Sequence, residues 1–367
     1  MNTAIFTVYS HTLPGSRPEL LKDILKGGNS LHVIGVEPAA QSEPLLTAAG
    51  VTYSQADLAR RNLNPFKELR SIFSVMKILK ENKTESLLMY GVRIIPCVVI
   101  AARLAKVKNI VAVVNGGGNL LMTGGLRGNL LRMMIFPLLR IAFKLADSVV
   151  FQNKDDYEEF KKLHVFPKKK KAEFTNGSGI SLIKYKSLPM PEESVFTLVG
   201  RMTAAKGVDE FVKAAGIVHE KFPSAVFQLV GQKDVDDDVD WTAINASAEY
   251  IKYLGESKDV VKVLTNSRFF VLPSYREGTP RSTLEALASG RPIITTDVPG
   301  CRETVIDGLN GFLVGLKDAE QLAEKMLYML ENPEKAVEMG KQSRILAEKK
   351  FNVEDVNEEL IKLLGIS

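Results

Sequence analysis

Four charged side chains stand out in the second half of the chain, two cations and two carboxylates, and the cations have the types and spacing to clamp a diphosphate. Arg201 and Lys206 flank the short loop between an apolar run, 195–200, and a helical pattern, 208–218. Two cations at the carboxyl end of a strand can clamp a diphosphate, the guanidinium as a two-pronged donor and the ammonium as a point charge. Gly200, just ahead of Arg201, lets backbone approach a phosphate closely. The loop is not a P-loop, because G-x4-G-K-[ST] is absent. Further on, Glu277 and Glu285 lie eight positions apart. On their own, two carboxylates at this spacing read as solvated groups, one in a loop and one on a packing helix.

The elements that must position these groups are legible around them. Residues 269–273 form a short apolar run bounded by Pro and Ser, the pattern of a buried strand. A polar loop carrying Glu277 and Gly278 follows. Thr279 and Pro280 then predict a helix start, with Thr279 as N-cap and Pro280 as first helical residue. The helix carries Glu285 and stops at Gly290, and a second strand occupies 292–296. This is a strand–helix–strand unit of a parallel sheet, and ligands of such sheets sit outside the carboxyl ends of the strands. A helix N-terminus there attracts phosphate, with the amides of Thr279, Arg281 and Ser282 as the expected donors.

The block from Glu277-x7-Glu285 through Ala-Leu-Ala-Ser-Gly-Arg-Pro-Ile to Asp307-Gly-x-Asn310-Gly-Phe-Leu-Val314 resembles the signature of retaining GT-B glycosyltransferases of family four. The Gly200-Arg201…Lys206-Gly207 element, in the correct order before it, is similar to the diphosphate-contacting element of the same enzymes. The segments 151–156 (FQNKDD) and 176–180 (NGSGI) look like blocks of enzymes that build bacterial capsule, O-antigen and related polysaccharides. The resemblance is dense over 195–315 and looser over 63–180. It implies an α/β chain of two Rossmann-like, doubly wound parallel-sheet domains facing across a cleft. Residues 1–186 would be the acceptor-side, membrane-facing domain and 187–350 the nucleotide-sugar-binding domain. Residues 351–367 would be a C-terminal helix packing back on the first domain.

By the same resemblance, Arg201 and Lys206 contact the donor diphosphate, Glu285 the ribose, and Glu277 the donor sugar, with retention at the anomeric carbon. The co-substrate is expected to be UDP-linked, with no metal and no other cofactor. Asp234-x-Asp236 matches a metal-binding pattern of a different glycosyltransferase fold and reads here as a solvated loop. The chain departs from relatives in two places. Thr279 stands where many carry a bulky apolar residue, and the loop at Asn115 has no His.

The composition fits a soluble globular protein: 45% hydrophobic and 25% charged residues over 367 positions, enough for two domains. Two distant cysteines, Cys97 and Cys301, match no metal spacing and point to a reducing compartment. The start, MNTAIFTVYSHTLPG, lacks a basic n-region and a long apolar core, so no signal peptide is expected. No run reaches the ~18–20 apolar residues of a spanning helix. Charge is divided unevenly. Through Lys186 there are 27 Lys/Arg against 14 Asp/Glu (+13), and beyond it 21 against 29 (−8). Such asymmetry assigns an anionic partner to the first half.

In that half, 4–9 reads as the first strand and 11–17 as a loop. Gly15 suits close approach to donor phosphates or an ordinary turn equally, and His11 either reaches an acceptor hydroxyl or is solvated. His32, inside an apolar strand, reads as structural. Asn115-Gly116-Gly117-Gly118 follows the strand 110–114 without the G-x-G-x-x-G fingerprint. By the resemblance, Asn115 and Gly116 border the acceptor side. The segment 128–146 (GNLLRMMIFPLLRIAFKLA) is strongly apolar yet basic, the composition of either a core helix or one lying in a membrane interface. With the lysine-rich run 160–171, it favours an anionic membrane surface. Nucleic acid is not expected, since no recognition motif or aromatic interleaving accompanies the charge.

These readings converge on a retaining transferase moving a hexose or N-acetylhexosamine from a UDP-sugar. The acceptor would be a polyprenyl-diphosphate-linked saccharide, and the protein cytoplasmic, peripheral on the inner membrane face. The same chemistry on a soluble or protein acceptor, and a non-catalytic sugar-nucleotide- or anion-binding protein, are the other readings.

Overall fold

The computed structural model describes residues 1–58, 65–122, 125–234 and 239–366. Asp236 therefore lies outside the described residues. The chain divides into two compact units, Met1–Ser178 with Glu354–Ser367, and Gly179–Val353.

The first unit is built on seven parallel strands: β1 (Asn2–Phe6), β2 (Ser30–Gly35), β3 (Thr52–Gln55), β4 (Ser86–Tyr90), β5 (Asn109–Val114), β6 (Ser148–Phe151) and β7 (Glu173–Phe174), in the order 3-2-1-4-5-6-7. The second has six: β8 (Val195–Val199), β9 (Val226–Val230), β10 (Ile251–Gly255), β11 (Phe269–Leu272), β12 (Ile293–Thr296) and β13 (Gly311–Val314), in the order 10-9-8-11-12-13. Both sheets start in mid-sheet, grow to one edge, then return to grow toward the other. That is the doubly wound order, and it opens a crevice where the direction reverses, between β1 and β4 and between β8 and β11. Helices cover both faces, so the central strands are buried throughout. β4, β8, β11 and β12 accordingly read as unbroken apolar or small-residue runs rather than alternating ones.

Four expectations need adjusting. The first strand ends at Phe6, and the segment expected as loop coils instead into the turns Ser10–Thr12 and Leu13–Ser16. The helix after Glu277 starts one residue late. Pro280 is extended (φ −68°, ψ 119°) and serves as N-cap, Arg281–Ala288 is helical, and Thr283 and Leu284 both donate to the Pro280 carbonyl. Thr279 is therefore not the cap. Finally, the chain passes between units at Ser178/Gly179 and Val353/Glu354, not at 186/187 and 350/351. The reason is backbone pairing: Ile180 N–H donates to Phe351 at 2.7 Å, and Val353 N–H to Ile180 at 3.1 Å, tying both crossings to the second unit.

The last helix, Val353–Leu364, packs on the first sheet. Val356, Leu360 and Leu364 are buried beside Ile5 and Leu88. Asn109 Nδ2 and Ser86 Oγ donate to the Leu363 and Leu364 carbonyls at 2.7 and 3.0 Å. These bonds satisfy carbonyls that a helix end leaves open.

Much of the signature block after Glu285 turns out to hold the second unit together. Arg291 is fully buried, its Nε and Nη1 donating to the Leu264 and Pro189 carbonyls. Asn310 accepts from the Ile306 amide at 2.7 Å and donates to the Thr304 carbonyl at 3.1 Å.

Candidate active site

At the crevice between β8 and β11 two of the charged groups singled out by the sequence, Lys206 and Glu277, meet. Lys206 ends the turn Ala204–Lys206 after β8, and its methylene stem runs along Gly200, where an added Cβ would meet it at 3.6 Å. Its ammonium pairs with Glu277 Oε1 in the loop after β11. Both side chains are largely enclosed, at 20% and 16% exposure. Ser274 Oγ donates to the same Oε1 at 2.8 Å.

Two backbone contacts fix this loop. Tyr275 N–H donates to Ala205 at 2.9 Å, joining it to the turn after β8, and Glu277 N–H donates to Pro299 at 3.1 Å, joining it to the loop after β12. Two glycines permit those approaches. Gly207 (φ +72°) would drive a Cβ into the Pro273 carbonyl, and Gly300 (φ +79°) would drive one into the Glu277 and Gly278 carbonyls. Any larger residue there would be strained as well as obstructed.

Glu285 lies one helical turn beyond Arg281 and is nearly buried. Its Oε1 accepts from Arg281 Nε at 3.1 Å and from Tyr185 Oη at 2.8 Å. Burial, and then the Glu285 carboxylate, push the Tyr185 phenol well above its ordinary range, so it stays a neutral donor. Arg281 and Ser282 form the first turn of the helix, ahead of the intrahelical ladder, and this end carries the positive dipole. Gly278 and Thr279 precede it, Thr279 nearly buried. The Arg201 side chain is 59% exposed and pairs with Asp234, Nη1 to Oδ2 3.5 Å. Asp234, raised as a metal ligand, therefore faces a guanidinium. The nearby Cys301 thiol is pushed up to about 12 by burial and then by Glu277, which makes it an inert packing group.

The remaining candidates belong to the first unit. His11 follows β1, and its Nδ1 meets Glu37 Oε1 at 2.7 Å while its amide donates to Glu37 Oε2 at 3.1 Å. Ser10 and Ser42 hydroxyls donate to the same Oε2. Burial alone would raise the Glu37 carboxyl, but the His11 amide, the Ser10 hydroxyl and the His11 ring outweigh it and hold it below the usual range. Gly15 sits inside Leu13–Ser16, where an added Cβ would meet nothing within 4 Å. Its own fold thus makes no demand for glycine. Asn115 is exposed at the end of β5, and Gly116 adopts φ +110°. His32 is structural: its Nδ1 meets Thr52 Oγ1 at 2.7 Å inside the sheet.

Sequence reasoning missed Tyr185, Ser274, Gly300 and Glu37. Ser274, three residues before Glu277, carried a local signal. Tyr185 lies 100 residues from Glu285, and nothing in its neighbourhood marks it.

Residues 181–346 match the family described as "Glycosyl transferases group 1". The chain is 29% identical over 325 residues, 84% of its length and 85% of the relative's, to the N,N'-diacetylbacillosaminyl-diphospho-undecaprenol alpha-1,3-N-acetylgalactosaminyltransferase of Campylobacter jejuni. It is 28% identical over 283 residues, 73% of this chain and 72% of the other, to the UDP-Gal:alpha-D-GlcNAc-diphosphoundecaprenol alpha-1,3-galactosyltransferase of Escherichia coli. Among solved structures, Anabaena HepE in complex with UDP-glucose superposes with a TM-score of 0.78 at 16% identity, covering 100% of this chain and 99% of that one. Two doubly wound sheets and these matches give the chain the GT-B fold, with a second unit that matches glycosyl transferases group 1 over residues 181–346.

Proposed function

We propose that the protein is a retaining, metal-independent transferase that moves a hexose or N-acetylhexosamine from a UDP-sugar to a polyprenyl-diphosphate-linked saccharide. The observation that carries this reading is the enclosed Lys206–Glu277 pair at the β8/β11 crevice, beside the N-terminal end of Arg281–Ala288. Lys206, Arg201 and that helix end supply positive charge where a departing diphosphate develops negative charge; such preorganised groups are often the largest catalytic contribution. Lys206 and Ser274 both land on Glu277 Oε1, so Oε2 is the oxygen we assign to the donor-sugar hydroxyls. Glu285, held by Tyr185 and Arg281, takes the ribose hydroxyls. No enzyme nucleophile is required. On the donor's front face the acceptor oxygen bonds the anomeric carbon as the bond to the diphosphate oxygen breaks, and that oxygen takes the acceptor's proton.

Support for the acceptor comes from the Campylobacter and Escherichia relatives, both of which are named for diphospho-undecaprenol-linked substrates. Support for the donor comes from the solved neighbour that holds UDP-glucose. Among the described residues no helix is long and apolar enough to cross a membrane. An anionic surface is assigned instead to the first unit, where Arg140, Lys161, Lys168 and Lys170 line one pocket with Tyr157 and Phe166. Each cation near such a surface contributes about 1 kcal/mol. We place the protein at the cytoplasmic face, held peripherally.

The test is UDP release from a panel of UDP-sugars, with and without EDTA, in the presence of a lipid-linked saccharide. Release from one donor that survives EDTA and yields an α-linked product from an α-linked donor is expected. Inversion, EDTA sensitivity, or binding of UDP without turnover would each overturn the corresponding part. Flotation on anionic vesicles that falls with salt is expected for the surface.

A further inference from the structure

The helices Pro65–Glu81, Ile95–Leu104 and Gly125–Leu145 cover one face of the first sheet, with Ile95–Leu104 in the middle. They do not close over it. A groove of about 400 Å³ remains, with Leu69 and Ile72 on one wall, Met134 and Leu138 on the other, and Ile100 on the floor. Its charged lining residues are Glu68 and Arg93. Cys97, also in the lining, has its thiol pushed up to about 12 by burial and then by Glu68, so it adds no charge. The apolar surface runs on beyond the groove: Phe66 is 81% exposed, Phe73 58%, Met133 68% and Ile141 48%. An exposed apolar surface of this kind marks a binding surface.

We propose that this groove seats the hydrocarbon chain of the lipid-linked acceptor, which rests on the acceptor assigned above. Size and charge select that occupant. A helix about 10 Å across fills 400 Å³ in roughly one turn, too short for the i, i+3, i+4, i+7 anchors of a docked helix. A hydrocarbon chain is far thinner. The flanking helices are cationic, with Lys67, Arg70, Lys77, Arg132, Arg140 and Lys144 against Glu68 and Glu81. That complements an amphiphile whose head carries phosphate. The groove would thus add a term to acceptor recognition that depends on the chain and is independent of the saccharide.

The experiment compares kcat/KM for two acceptors with the same saccharide diphosphate, one on a full-length polyprenyl chain and one on a short water-soluble chain. Wild type is expected to favour the long chain at least tenfold. Ile100→Trp, which fills the floor, and Met134→Glu, which charges a wall, should each cut that ratio at least fivefold without lowering the melting temperature. Leu45→Trp, on the exposed helix Ala39–Ala48, should keep it. An unchanged ratio in both groove variants overturns the proposal while leaving the acceptor assignment intact. So does an equal loss of flotation on vesicles lacking polyprenyl lipid, which would make the face a bilayer anchor. If wild type transfers to no lipid-linked acceptor, the assignment above fails, and saturable binding of polyprenyl phosphate alone decides the groove. Binding that Ile100→Trp abolishes supports it; no binding overturns it.

Discussion

Lys206 and Glu277 are 71 residues apart in the chain, and the lysine ammonium donates to one oxygen of the glutamate carboxylate. They follow the two strands that flank the point where the second sheet reverses direction, and both side chains are largely enclosed. The pair is the charged centre of the second unit.

Lys206→Ala and Glu277→Gln are each expected to lower kcat by about 10²–10³-fold, the scale of losing one preorganised group. Ser274 still bonds Glu277 when Lys206 is gone, so the stability loss should stay on the order of 1–3 kcal/mol. Transfer kinetics beside a denaturant melt separates the two effects. Near-wild-type rates in either variant would remove the pair from the chemistry.

Tyr185→Phe deletes one donor to Glu285 and little else. Glu285 keeps Arg281 but loses a constraint on its orientation. Donor KM should rise about 3- to 10-fold with kcat nearly unchanged, and the fold should lose about 1 kcal/mol. A kcat effect larger than the KM effect would mean that the tyrosine acts on the reacting atoms.

Two glycines should behave oppositely. Gly207→Ala meets the Pro273 carbonyl at positive φ, so both loops must move. It should destabilise the second unit by a few kcal/mol and abolish transfer. Gly15→Ala meets no protein atom, so its melting temperature should match wild type. Any loss of UDP-sugar affinity in that variant would report a ligand over the turn.

His32 makes stability depend on pH. Burial lowers its folded pKa to about 4 from an ordinary 6.5. Below pH 6.5 the unfolded chain binds the proton and the folded one does not. Its contribution is therefore complete above that pH and is lost progressively as pH falls toward 4. The loss amounts to on the order of 3 kcal/mol at most. Urea melts from pH 7 to 4 should show a steeper decline for wild type than for His32→Asn. Parallel curves would refute the assignment.

The sheet strands, the two-unit division and the four charged groups were legible because each rests on a local pattern. Buried parallel strands read as short apolar runs, helices stop at glycine, and cations or carboxylates follow directly on the strand that positions them. The misplaced cap shows where local reading fails. Thr279-Pro280 has the composition of a cap and first turn, yet Pro280 is extended and is itself the N-cap, so the helix begins at Arg281.

The same limit separates what the amino-acid sequence determined alone from what only the tertiary structure decided. Residue type and order determined a doubly wound α/β chain, a pair of cations directly after one of its strands and a basic first half. Which oxygen of Glu277 is occupied, that Tyr185 reaches Glu285, that Asp234 faces Arg201, and that three helices leave an apolar groove over Ile100 were decided by folding. Each depends on groups tens of residues apart meeting within a few ångströms, and periodicity along one segment carries no information about what packs against it from another.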